Sequence, residues 1–135
     1  MTPIFVDTSY LLALELADDQ NHQVAVRHWH TLQGRRLPLV TTSSVFDEVL
    51  TFCNSRNYHT LAVEAGGKLL RGSSIRLIYV ERSLFIAGWT YFMQHEDKRY
   101  SFTDCISFVL MQQMHIRSAL TFDHHFAQAG FVPVP

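Results

Sequence analysis

The chain has 135 residues, 47% of them hydrophobic and 17% charged. That balance excludes an intrinsically disordered protein and fits one globular domain over residues 1–135 with a sizeable core. Eleven Lys and Arg against twelve Asp and Glu give a net charge of −1, which excludes a broad basic surface for DNA but not a basic rim around an acidic site.

The opening stretch TPIFVDTS contains a first strand, Thr2 to Val6, that reads as buried on both faces. A helix follows from Thr8 to Leu16. Asp18 or Asp19 is placed to cap the next helix, which ends near Gly34. LPLVT, residues 37–41, is the second strand. Ser43 or Ser44 caps a helix through about Arg56, and another runs from about His59 to Leu70. IRLIYV, residues 75–80, is the third strand. Ser83 caps a helix to about Glu96, and Ser101 caps one that reaches His115. SALTF, residues 118–122, is the fourth strand. A short helix around His124 to Gln128 and a final strand, FVPV, complete the chain.

Strands alternating with helices predict an α/β fold with a mostly parallel sheet of four to five strands between helical layers. Strand C-termini and the helix N-termini that follow them then share one edge, where ligands bind. Four carboxylates map to that edge. Asp7 ends the first strand, and it reads equally as the N-cap of the next helix. Glu48 lies one turn into the helix after the second strand. At about 100° per residue it sits on the border of the stripe formed by Val45, Phe46, Val49, Leu50, Phe52 and Cys53. Its neighbour Asp47 faces away, as a solvated residue or as part of a Ser44-x-x-Asp47 capping box. Asp104 shares a helix face with Phe108, Met111 and His115, and Ser101-x-x-Asp104 also fits a capping box. Asp123 follows the fourth strand, where a cap is again the plain alternative.

Four crowded carboxylates ionise together only beside a cation. All-oxygen ligation suits Mg²⁺ or Mn²⁺, and such ions serve phosphoryl transfer by activating water and stabilising the leaving oxygen. Zinc is not expected. His28 and His30 point apart on a helix, His124 and His125 are adjacent, and no Cys/His ligand pattern occurs. Cys53 and Cys105 read as buried, reduced thiols of a cytoplasmic protein, and Cys105 as a core residue rather than a nucleophile. No basic leader with a long apolar core is present, and the longest apolar run, Leu84 to Met93, falls short of the roughly 20 residues a membrane span needs. Phe85, Trp89 and Phe92 recur at helical spacing, which reads first as core packing.

IFVDTS, TSSVFDEVL, SFTDCISF and LTFDHHF together resemble the PIN domain, in the order and spacing of VapC-type toxins. The resemblance spans the chain and implies an α/β/α sandwich with a divalent-metal ribonuclease site. It implies that Asp7 and Asp104 are the main metal ligands, with Glu48 and Asp123 completing the site partly through waters. Ser9 and Thr103 fall where hydroxyls support the ligands or touch phosphate. The implied reaction is hydrolysis of RNA by activated water, leaving 5′-phosphate and 3′-hydroxyl ends. Arg56, Lys68, Arg71, Lys98 and Arg99 are candidates for a basic surround. The implied partners are single-stranded or looped RNA, a VapB-type antitoxin and a second copy of the chain, packed on the aromatic-rich helix or on the first two helices. Two other readings remain: a PIN fold that binds RNA or protein without cleaving, and an aspartyl phosphotransferase or receiver domain. The second lacks a D-x-D pair at the first strand, where Ser9 stands, and lacks a late Lys after Arg99.

Overall fold

The structure, a computed structural model, describes residues 1–135. The elements in chain order are β1 (Ile4–Val6), α1 (Thr8–Glu15), α2 (His22–Gln33), β2 (Leu39–Thr42), α3 (Ser43–Ser55), α4 (His59–Arg71), β3 (Arg76–Ile78), α5 (Arg82–Gln94), α6 (Phe102–Gln113), β4 (Ser118–Leu120), α7 (His125–Gln128) and β5 (Val132–Val134). The sheet has five strands in the order β3-β2-β1-β4-β5. Every neighbouring pair is parallel, with Phe5 opposite Val40 on one side and Ala119 on the other. The expected mostly parallel sheet is therefore wholly parallel.

β1 is central because it is apolar on both faces: Phe5 and Val6 are completely buried. Phe5 stacks on Phe126 of α7, which meets Phe108 of α6 edge-on. On the other side α1 packs on α2 and α3, and α3 on α4. The chain moves outward from β1 through β2 to β3, then returns to β4 beyond β1. Right-handed crossovers that reverse direction in this way place helices on both faces. The two edge strands carry edge chemistry. β3 exposes Arg76 and is shorter than the expected 75–80, and β5 contains Pro133, which lacks a donor and is tolerated only at an edge.

Helix ends differ from expectation in instructive ways. Thr42, not Ser43 or Ser44, caps α3 by accepting from the Val45 N–H at 3.2 Å. Ser43 instead accepts the Val80 N–H, and Asp47, exposed, accepts from the Thr51 hydroxyl rather than closing a capping box. Asn21 precedes α2, and Asp19 accepts the Asn21 N–H in the turn before it. Glu81 rather than Ser83 precedes α5. The capping box at α6 is present as expected: Ser101 Oγ accepts the Asp104 N–H, and Asp104 accepts the Ser101 N–H. α6 stops at Gln113 because His115 turns left-handed at φ 55°. The Ile116 N–H then reaches back to the Met111 carbonyl at 2.8 Å, a Schellman closure with Ile116 buried behind it.

α5 also departs from its reading. It buries only Leu84 and Gly88, while Phe85, Trp89 and Phe92 are 42–50% exposed. They are not core. Cys53 and Cys105 are buried free thiols, as expected. No helix is long and apolar enough to cross a membrane.

Candidate active site

The strand order reverses between β1 and β4, so a crevice opens beyond their C-terminal ends. Asp7 and Asp123 flank it, one just after each strand. Glu48 comes from the second turn of α3 and Asp104 from the first turn of α6. The four carboxylates are within electrostatic reach of one another: Asp104 and Asp123 each act on Asp7 and on Glu48, and Asp123 acts on Asp104.

Asp7 is the most enclosed, at 3% exposure. Its Oδ2 accepts from the hydroxyls of Ser9 and Thr121, both at 2.8 Å, and from the Ser9 N–H at 3.4 Å. It is thus both the cap of α1 and a site residue. Burial outweighs those hydrogen bonds and, with repulsion from Asp104 and Asp123, pushes its pKa up to about 7. Ser9 is held in turn by the Phe122 N–H at 2.9 Å, which ties the end of β1 to the end of β4.

Asp104 is 6% exposed. Its Oδ2 takes the Ser101 N–H and His125 Nδ1, each at 3.1 Å. Burial is again the largest cause of its raised pKa, with Asp123 adding repulsion. Glu48 is half-buried. Thr8 donates to its Oε1 at 2.6 Å, and the nearby Thr103 hydroxyl favours its ionised form. Its pKa is raised by burial and by its acidic neighbours. Asp123 Oδ1 accepts the His125 N–H at 2.9 Å.

The three aspartates share a pattern. Each commits one oxygen to protein donors and leaves the other without one: Oδ1 of Asp7, Oδ1 of Asp104 and Oδ2 of Asp123. No buried side-chain oxygen or nitrogen in the chain lacks a partner, so the uncommitted oxygens stay open to solvent. Acidic groups oriented in this way fit a hard divalent cation with oxygen ligands.

The structure brings together all six side chains that the sequence marks: Asp7, Ser9, Glu48, Thr103, Asp104 and Asp123. It adds three that sequence reasoning missed. Thr8 and Thr121 are marked only by their closeness to Asp7 and Asp123, a threonine beside each acid. His125 is indistinguishable from His124 in the sequence, yet only His125 turns inward. Asp123, His124 and His125 bring one ligand atom each within 4.8 Å of one another.

The basic surround is mostly elsewhere. α3 runs away from the carboxylate edge, and α4 ends at the opposite edge, where β3 begins, so Arg56, Lys68 and Arg71 at their C-terminal ends lie remote from the site. Arg56 sits over the Phe52 ring, and Lys68 pairs with Glu15 at 3.2 Å. Lys98 and Arg99 remain, in the loop leading to α6. Arg82, opening α5 just beyond the C-terminal end of β3, is a basic residue of the site edge that sequence reasoning also missed. The two main cavities of the fold, of about 560 and 510 Å³, are not lined by any of the four carboxylates.

Known proteins share this fold. Two relatives, each named 23S rRNA-specific endonuclease VapC20 and drawn from two strains of Mycobacterium tuberculosis, are 38% identical over 132 residues, covering 97% of this chain and 97% of theirs. The crystal structure of Mycobacterium tuberculosis VapC20, described as a sarcin-ricin loop cleaving toxin, superposes with a TM-score of 0.87 at 35% identity, covering 97% of this chain and 98% of that one. The PIN domain family model matches residues 4–132, a span that opens on β1, ends in β5 and includes every carboxylate of the crevice: the chain belongs to the PIN domain family.

Proposed function

We propose that this chain is a divalent-metal-dependent endoribonuclease and the toxin of a type II toxin–antitoxin pair. The observation that carries the reading is the set of three aspartates, each with one oxygen held by the protein and the other without a protein donor and open to solvent. Asp7 and Asp104 are the principal ligands of Mg²⁺ or Mn²⁺, and Glu48 and Asp123 complete the set. A cation bound there supplies an activated water and charge stabilisation at the leaving oxygen.

The chain's own groups do the rest. Thr121 and Ser9 hold Asp7, and the Ser101 N–H and His125 hold Asp104. Thr8 holds Glu48, with the Thr103 hydroxyl close by. Lys98, Arg99 and Arg82 are placed to receive the phosphates of an RNA strand that runs over the crevice. A looped RNA suits such an edge, since its backbone bends where a duplex does not. The name of the 38%-identical relatives makes 23S rRNA the first substrate to offer.

The remaining partners are those of the same family. A VapB-type antitoxin holds the enzyme inactive in the cytoplasm. A second copy packs on α5, supported by the exposed row Phe85, Ile86, Trp89, Phe92 and Met93. No membrane is involved.

The test is cleavage of total RNA and of intact ribosomes by the wild type and by Asp7→Asn and Asp104→Asn, with Mn²⁺, Mg²⁺ or EDTA, and with the ends mapped. The expected result is cleavage that needs the metal. Either aspartate variant loses more than the roughly 10–100-fold that removal of an outer-shell partner costs. Cleavage retained in Asp104→Asn, with contaminating nuclease excluded, refutes the reading.

A further inference from the structure

His125 stands between two carboxylates. Its Nδ1 lies 3.1 Å from Asp104 Oδ2 and 3.4 Å from Asp123 Oδ1. Its backbone N–H also donates to Asp123 Oδ1 at 2.9 Å. One ring nitrogen facing two carboxylate oxygens must carry a hydrogen, so the neutral ring is the Nδ1–H tautomer. That hydrogen is present whether or not the ring is charged.

The ring is fixed in this position. Its side chain is 17% exposed, and its ring makes a T-shaped contact with Tyr100 at 5.4 Å and 80°. Tyr100 is 6% exposed and is itself held edge-on by Phe108. The next residue, Phe126, is wholly buried between Phe5 and Phe108. The neighbouring His124 shows what an unfixed histidine looks like here, with 82% of its side chain exposed and its Nδ1 3.8 Å from Asp123.

We propose that His125 is a positioning residue: its Nδ1–H holds Asp104 while its backbone N–H holds Asp123, and together they turn the other oxygens of both toward one shared divalent cation. Asp104 comes from α6 and Asp123 from beyond β4, on separate elements, and like charges on separate elements splay apart unless a donor ties them. The Ser101 N–H and the His125 Nδ1–H both land on Oδ2 of Asp104, which leaves Oδ1 as the only oxygen to offer. Outer-shell donors of this kind set ligand orientation and weaken metal binding when lost.

The inference rests on the metal-site reading, and Mn²⁺ binding tests the two separately. Calorimetric titration of Mn²⁺ into the full chain compares wild type with His125→Asn, His125→Gln, His125→Ala and His124→Ala, each checked for folding by metal-free melting. The Asn amide places an N–H where Nδ1 stands, and the Gln amide places it where Nε2 stands. Expected are a loss of about 10–100-fold in affinity for His125→Gln and His125→Ala, and retention within about threefold for His125→Asn and His124→Ala. The Asn–Gln contrast stands even where the Ala variant fails to fold. Wild-type affinity in folded His125→Gln, or equal loss in the Asn and Gln variants, overturns the inference alone. A directly bound ring nitrogen in the pulsed electron paramagnetic resonance spectrum of bound Mn²⁺ overturns it too. No Mn²⁺ uptake by wild type overturns the metal site and the inference together.

Discussion

Asp7 ends a buried strand as a carboxylate whose pKa has risen from 3.8 to about 7. The metal-free folded protein therefore keeps a proton that the unfolded chain releases across that interval. Stability conferred by the neutral form falls as pH rises from about 4 to about 7. Taken as a whole, a shift of this size corresponds to at most about 4 kcal/mol. Asp7→Asn removes the burden while keeping the shape. In EDTA at pH 8 its Tm is expected to exceed that of wild type by several degrees, the gap closing toward pH 4; a lower Tm at pH 8 contradicts this. Divalent ions act in the opposite sense. They compete with the proton for Asp7, so the Mn²⁺ affinity of wild type is expected to fall as pH drops below about 7, as a titration at pH 8, 7 and 6 reads directly. A site acid that stabilises the fold only when neutralised is the residue-scale sign of function placed above stability.

At the scale of elements, α5 and α6 meet where α5 has no side chain. A Cβ on Gly88 would lie 2.7 Å from Ile106 Cγ1, and Ile106 is 1% exposed with no room to retreat. Gly88→Ala gains about 1 kcal/mol of helix propensity and loses about 1–3 kcal/mol to overpacking. A net loss of up to about 2 kcal/mol is expected in urea melts. Because α6 carries Asp104, Mn²⁺ affinity is expected to weaken with it. Ser101→Ala removes half of the α6 capping box and costs about 1 kcal/mol by the same assay. The α6 box is readable from the sequence because Ser and Asp stand three apart before an apolar run. The α3 cap is not. TTSS offers four hydroxyls in a row, and the winner, Thr42, is decided by where β2 stops pairing with β3. The face of α5 is unreadable for a related reason. Apolar residues run nearly all round it, and only the docking of Gly88 on Ile106 selects the inner side.

For the whole molecule, the parallel layout and the placement of the four acids are legible, because each acid stands just after a strand or in the first turns of a helix and a parallel sheet sends all such positions to one edge. The basic residues carry no such rule. Lys68 and Arg71 are candidates for the site rim by charge alone, but α4 delivers them to the edge where β3 begins, opposite the carboxylates. His125 is hidden because a histidine two residues past an aspartate has no defined direction until α7 is anchored by Phe126. The exposed row on α5 is a property of the molecule rather than of the helix. With Trp89 and Phe92 changed to Glu, the protein is expected to sediment as a monomer while its metal-free Tm shifts little; a persisting dimer would place the interface on α1 and α2 instead.

The register of β1 against β4, Phe5 beside Ala119 and Val6 beside Leu120, has a consequence in time as well as in space. During synthesis Asp7 emerges 114 residues ahead of Thr121, which holds it, and Asp104 emerges 21 residues ahead of His125. For an enzyme of the proposed kind, related to one named for cutting ribosomal RNA, the order of synthesis is itself a safeguard. The ribosome that makes the protein faces no assembled centre until the residues through His125 have been translated, and an inhibitor need act only after that point.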